Sequence, residues 1–203
     1  MRTPLTSQRG LSLAEVTIML MVLSVLSGVM SPVIGDYVND ARHVKAAEDV
    51  QVLAVTFSRF VFDARLTEPN DRDWQHFDVL VGAGSAPALG PGGEAAWLGA
   101  PGQPRVGLLE DHLMTNSAGY DTSSSSPVAL WSRGWRGPYL NPGIGPDPWG
   151  HRYAINVGGW AQHGANVIVL SAGPDGQVET PFLRHGSPSA GDDVIAVIGS
   201  GGQ

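Results

Sequence analysis

The 203-residue chain contains no cysteine. A disulfide scaffold, a zinc ribbon and a cysteine nucleophile are therefore excluded. Charge is also scarce: 15% of residues are charged, and 12 basic against 19 acidic side chains leave a net charge of −7. A nucleic-acid binder needs a basic face, so that class drops out. The six histidines (His43, His76, His112, His151, His163 and His185) show no HExxH spacing or other metal-ligand pattern. There is no G-x-S-x-G elbow, and Gly82-Ala83-Gly84 stands without the rest of a dinucleotide fingerprint. Trp135 and Trp149 sit beside glycines, as structural corner residues do, and do not suggest a ligand platform. These absences point away from an enzyme.

What is present is concentrated at the N-terminus. Residues 1–10 are polar and carry Arg2 and Arg9, whereas residues 11–31 (LSLAEVTIMLMVLSVLSGVMS) carry a single charge, Glu15. At ~1.5 Å per helical residue this stretch covers about 31 Å, the thickness of a bilayer's hydrocarbon core. Arginines before it and Asp36 and Asp40 after it predict a cytoplasmic N-terminus and a single membrane pass. A secretory signal would have a shorter apolar region, of ~7–15 residues, followed by its cleavage site. Here the basic, glycine-ended segment precedes the apolar run, so cleavage in front of the helix is expected.

The helical pattern continues beyond Ser31. Tyr37, Ala41, Val44, Val50, Leu53, Ala54, Phe57, Phe60 and Val61 recur at spacings of three and four, with most charges off that stripe. One helix of about 50 residues is predicted, half in a membrane and half packed on a soluble domain, with Pro32 kinking it at the junction. A carboxylate at Glu15 costs on the order of 2.5–3.5 kcal/mol inside a membrane, and such residues are functional by default.

Residues 67–133 are rich in glycine, proline and serine, as in GAGSAPALGPGG at 82–93, and read as a variable excursion between helix and sheet. Within them VGLLEDHLM at 106–114 suggests a short helix. After Trp131 come YAINV (153–157), NVIVLS (166–171) and DVIAVI (193–198), β-branched runs separated by turn residues. These predict antiparallel strands. The fold expected is α+β in two layers: a long N-terminal helix packed on a small antiparallel sheet, with long Gly/Pro-rich loops.

Arg9-Gly10-Leu11-Ser12-Leu13-Ala14-Glu15, followed by the apolar run and Pro32, resembles the processing motif of the type IV pilin and pseudopilin superfamily. The segments GWRGPYL, DPWG, Y-x-I and LSAGPDG follow in an order similar to the major pseudopilin of type II secretion systems. The resemblance implies that a prepilin peptidase removes residues 1–10 after Gly10 and methylates the new N-terminus at Leu11. Glu15 of one subunit would then meet the Leu11 amine of the next and set the register of a filament. It implies a structural calcium held by Asp175 and by Asp192 or Asp193. Calcium takes six to eight oxygens on a turning loop, and Glu179 lies in the same stretch.

By the same resemblance the chain divides into a leader (1–10), a transmembrane and polymerisation helix (11–32), an amphipathic helix (33–66), the excursion (67–133) and a sheet domain with the calcium loop (134–203). The implied function is that of a non-enzymatic subunit of the periplasmic pseudopilus. Its implied partners are copies of itself, the prepilin peptidase, minor pseudopilins, and an inner-membrane assembly platform with its ATPase. A type IV pilin for adhesion, motility or DNA uptake is the alternative, and a helix-anchored periplasmic enzyme a third reading, which leaves Gly10 and Glu15 unexplained together.

Overall fold

The structure is a computed structural model, and it describes residues 10–64, 78–98, 106–120, 122, 134–141, 143–158, 166–182 and 190–200. Leader residues 1–9, with Arg2 and Arg9, lie outside the described residues. The chain separates into two units, Met1–Ala41 and Arg42–Gln203.

Helix α1 spans Leu13–Ala64, 52 residues, and passes Pro32 without interruption. It is long and apolar enough to cross a membrane. In the first unit its large apolar side chains, from Leu13 and Ile18 through Met30 and Ile34, are all exposed. A helix that is apolar all round must be covered by lipid or by other helices.

In the second unit α1 becomes one-sided. Ala46, Val50, Leu53, Ala54, Phe57, Phe60 and Val61 are buried at helical spacing, as the stripe predicts. The buried stripe begins at Ala46, so it is shorter than the one expected: Tyr37, Ala41 and Val44 are exposed. Fully burying side chains such as Phe57 and Phe60 contributes about 1.5–3 kcal/mol each.

The helix packs on a five-stranded sheet with the order β3-β1-β4-β5-β7. Its strands are β1 (Val79–Val81), β3 (Val106–Leu108), β4 (Ala154–Ile155), β5 (Asn166–Ser171) and β7 (Val194–Ser200). A second sheet pairs β2 (Ala88–Leu89) with β6 (Gln177–Val178). The runs at 153–157, 166–171 and 193–198 do form antiparallel neighbours β4, β5 and β7. The sheet is nevertheless mixed, not antiparallel throughout, because β1 and β3 are parallel. Both come from the stretch read as an excursion, which also supplies the short helix α2 (Leu109–Leu113).

Two layers become three in the structure. On one face Leu80, Ile155, Val167, Val169 and Ala196 meet the α1 stripe. On the other, Val79, Val81, Ala154, Ile168 and Leu170 meet Trp97, Val178 and Phe182. Alternate residues of β5 thus face two different cores, which is why its run is continuously apolar. Residues 88–98 supply part of the outer cover. Gly93 passes so close that a Cβ there would collide with the Val178 carbonyl oxygen.

Candidate functional site

The helix entry is built on a reciprocal pair. The Ser12 backbone N–H donates to Glu15 Oε2 at 3.3 Å, and the Glu15 N–H donates to Ser12 Oγ at 3.2 Å. This is a capping box, which satisfies two of the amides that a helix start leaves without partners. The S-x-x-E spacing of Ser12 and Glu15 signals it in the sequence. Gly10, Leu11, Ser12 and Glu15 are all exposed, and a Cβ at Gly10 would meet nothing within 4 Å. The segment is therefore open to another protein, while Glu15 already serves its own helix.

The second locus is the corner where the turn at 173–176 meets 190–193. Gly173 and Gly191 have φ of 64° and 62°, a region that glycine enters without a Cβ penalty. The turn lies against the second segment: a Cβ on Gly173 would stand 2.5 Å from the Asp192 carbonyl oxygen. The Glu179 carboxylate rests against Gly191. Asp193 is buried, and its Oδ2 accepts from the Glu179 N–H at 3.0 Å and the Thr180 N–H at 2.7 Å. Its Oδ1, like Asp192 Oδ1, is buried without a hydrogen-bond partner among the described residues. Burial pushes the Asp193 carboxyl above its usual range, while the Thr180 and Glu179 donors act in the opposite direction.

Two buried carboxylate oxygens on adjacent residues, without donors among the described residues, are of the donor type a divalent cation takes. Asp175 is arranged differently. Its two oxygens accept from the Gln177 backbone N–H at 2.8 Å and Gln177 Nε2 at 3.0 Å, at an exposed position. Among the described residues, no three carboxylate or imidazole groups converge as a metal cluster. A calcium ion here would draw on backbone carbonyl oxygens as well as Asp192 and Asp193, as calcium sites commonly do.

A buried polar framework supports this corner from behind. Asp147, in the DPWG turn, accepts from the Trp149 and His151 amides through Oδ1 and from Ser171 Oγ at 2.6 Å through Oδ2. The turn that the proline and glycine announce is thus fastened to the end of β5. Trp135 donates through Nε1 to the His112 carbonyl at 2.7 Å and stacks on Gly137, as a corner residue does. His112 is buried beside Phe60, with Nδ1 2.6 Å from the Tyr120 hydroxyl. Burial lowers its pKa to about 4, against a smaller opposing effect of Asp111.

Residues 112–182 match the family model of type II secretion system (T2SS), protein G. Comparison with curated proteins and with solved structures finds no match. The matched segment runs from His112 through the DPWG turn and β5 to Phe182, which includes one side of the carboxylate corner. Together with a long N-terminal helix packed on a small sheet, this match supports membership of the pseudopilin and pilin-like superfamily.

Proposed function

We propose that the chain is a pseudopilin of a type II protein secretion system, a structural subunit without catalysis of its own. The observation that carries this reading is the protein G match over residues 112–182, downstream of a helix able to span a membrane. The helix anchors the chain in the inner membrane, with its N-terminus cytoplasmic and its C-terminal unit periplasmic. The prepilin peptidase cuts between Gly10 and Leu11 and methylates Leu11. Subunits then leave the bilayer and bundle their helices into a periplasmic filament with minor pseudopilins, driven by an inner-membrane platform and its ATPase. Apolar side chains exposed all round the first part of α1 suit that bundle.

Glu15 gains a second role once Leu11 carries a free amine. A carboxylate and an ammonium are each costly in hydrocarbon, and pairing between neighbouring subunits offsets both costs while fixing register. Calcium belongs to the same reading: Asp192 and Asp193 would hold it, with Asp175 as the expected third acid. It would neutralise buried carboxylates and stabilise the folded corner by mass action.

The test is the exported proteome of a strain lacking the gene, with surface filaments counted in the same cultures. Secreted proteins trapped in the periplasm with surface pili unchanged is the expected result. Intact secretion with loss of pili, adhesion or DNA uptake would overturn it in favour of a type IV pilin. The mature mass, expected to lack residues 1–10 and to carry one added methyl group, checks the processing step separately.

A further inference from the structure

The carboxylate corner is clamped from outside the family match. Asp193 has one oxygen held by two amides and the other buried without a partner among the described residues, so the direction in which it offers that oxygen depends on the backbone N–H groups of Glu179 and Thr180. Thr180 is fully buried, and its carbonyl accepts a 2.8 Å hydrogen bond from Trp97 Nε1. Trp97 is itself 1% exposed and meets the Phe182 ring edge-on at 5.0 Å between centroids. Three residues earlier, Glu94 Oε1 accepts from the Phe182 N–H at 3.3 Å. The Gly90 N–H donates to the Val178 carbonyl at 2.9 Å, where β2 pairs with β6. Residues 88–98 therefore grip 178–182 at three successive points.

We propose that Trp97 is a positioning residue for Asp193. Through the Thr180 carbonyl it holds the residue whose own N–H, next to that of Glu179, orients the Asp193 carboxylate, and in this way it sets the calcium affinity of the corner. Trp97 touches no ligand atom. It acts as an outer-shell donor, and loss of such a donor commonly weakens metal binding by about 10–100-fold. Trp97 lies before the residues matched to protein G, so the clamp is a feature of this chain beyond that match. The inference rests on the calcium reading above, and the experiment separates the two.

Full-length protein in detergent micelles is titrated with calcium chloride by isothermal calorimetry, at a temperature where circular dichroism shows each variant folded. Four forms are compared: wild type, Asp193→Asn, Trp97→Phe and Phe57→Leu. Trp97→Phe keeps an aromatic ring against Phe182 but has no N–H to donate, and its expected dissociation constant is about 10-fold or more above wild type. Phe57→Leu loosens the helix–sheet core without touching the corner, so its dissociation constant should equal that of wild type. A general loss of stability therefore cannot mimic the Trp97 effect. Wild-type binding that is lost in Asp193→Asn but unchanged within twofold in Trp97→Phe would overturn the positioning role and leave the calcium site standing. No calcium heat from the wild type would overturn the site itself. Where Trp97→Phe does not fold, Glu94→Ala removes the acceptor for the Phe182 N–H and tests the same grip, and an unchanged dissociation constant there overturns the clamp.

Discussion

The Tyr153 hydroxyl donates to Asp49 Oδ2 at 3.0 Å, joining two residues 104 positions apart and fastening the sheet to the long helix. Burial, with the Asp49 carboxylate beside it, pushes the Tyr153 hydroxyl far above its usual range and keeps it a donor. A second tyrosine repeats the arrangement further along α1, where the Tyr139 hydroxyl donates to Asp63 Oδ2 at 3.4 Å. Asp63 is buried, although helical spacing puts it among the charges off the apolar stripe. With the buried apolar stripe, these two bonds fasten the helix to the sheet.

Tyr153→Phe removes the hydroxyl and keeps the ring. Asp49 retains its contact with Lys45, an exposed pair that contributes little. The expected loss is about 1–2 kcal/mol, read by urea unfolding in micelles. A cycle with Asp49→Asn should show that the two losses are coupled rather than additive.

Acid should weaken the fold through His112. Its folded pKa of about 4 lies below the ordinary 6.5, so the unfolded chain binds the proton more tightly. The stabilising contribution is complete above pH 6.5 and falls as pH drops towards 4, by about 1.4 kcal/mol per unit. His112→Phe should flatten that part of the stability-against-pH curve relative to wild type. Parallel curves would show that other groups set the slope.

Asn156 is the next test. Its Nδ2 donates to the Asn166 and Phe182 carbonyls, and its Oδ1 accepts from the Ile168 N–H at 2.6 Å. That amide lies at the irregularity between Val167 and Ile168, where β5 and β7 shift register. Asn156→Ala leaves buried groups unsatisfied at about 1–3 kcal/mol each. Hydrogen exchange should show protection lost first at Ile168 and its neighbours in β5.

Gly93→Ala should break the β2–β6 pairing, because the new methyl would meet backbone and not a movable side-chain end. A cost of about 1–3 kcal/mol follows from overpacking. The expected mark is faster exchange at the Gly90 and Thr180 amides with the α1 core still protected. Uniform loss across the unit would place the close approach elsewhere.

The sequence alone determined the elements that local periodicity dictates. Spacings of three and four revealed α1 and its buried face from Val50 to Val61, and β-branched runs between turn residues revealed β4, β5 and β7. The short helix within 106–114 was equally legible, as was the corner position of Trp135 against Gly137, since each depends on near neighbours, whereas the bond from Trp135 to the His112 carbonyl, 23 positions away, was not. The S-x-x-E box at Ser12 was written there as well, though overshadowed by the membrane chemistry of Glu15. Tertiary structure decided what depends on distant partners. β1 is three residues long, too short to show a period, and becomes a strand only between β3 and β4. Glycine-rich residues 88–98 carry almost no local signal, yet they cover the second face of the sheet and place Trp97 on Thr180, 83 positions away. Glycine permits such close backbone approach without announcing which backbone it will meet. For the same reason the acid residues of the corner could be named from sequence, whereas the two orphaned oxygens of Asp192 and Asp193, and the donors that orient Asp193, emerged only when 173–182 and 190–193 were folded together.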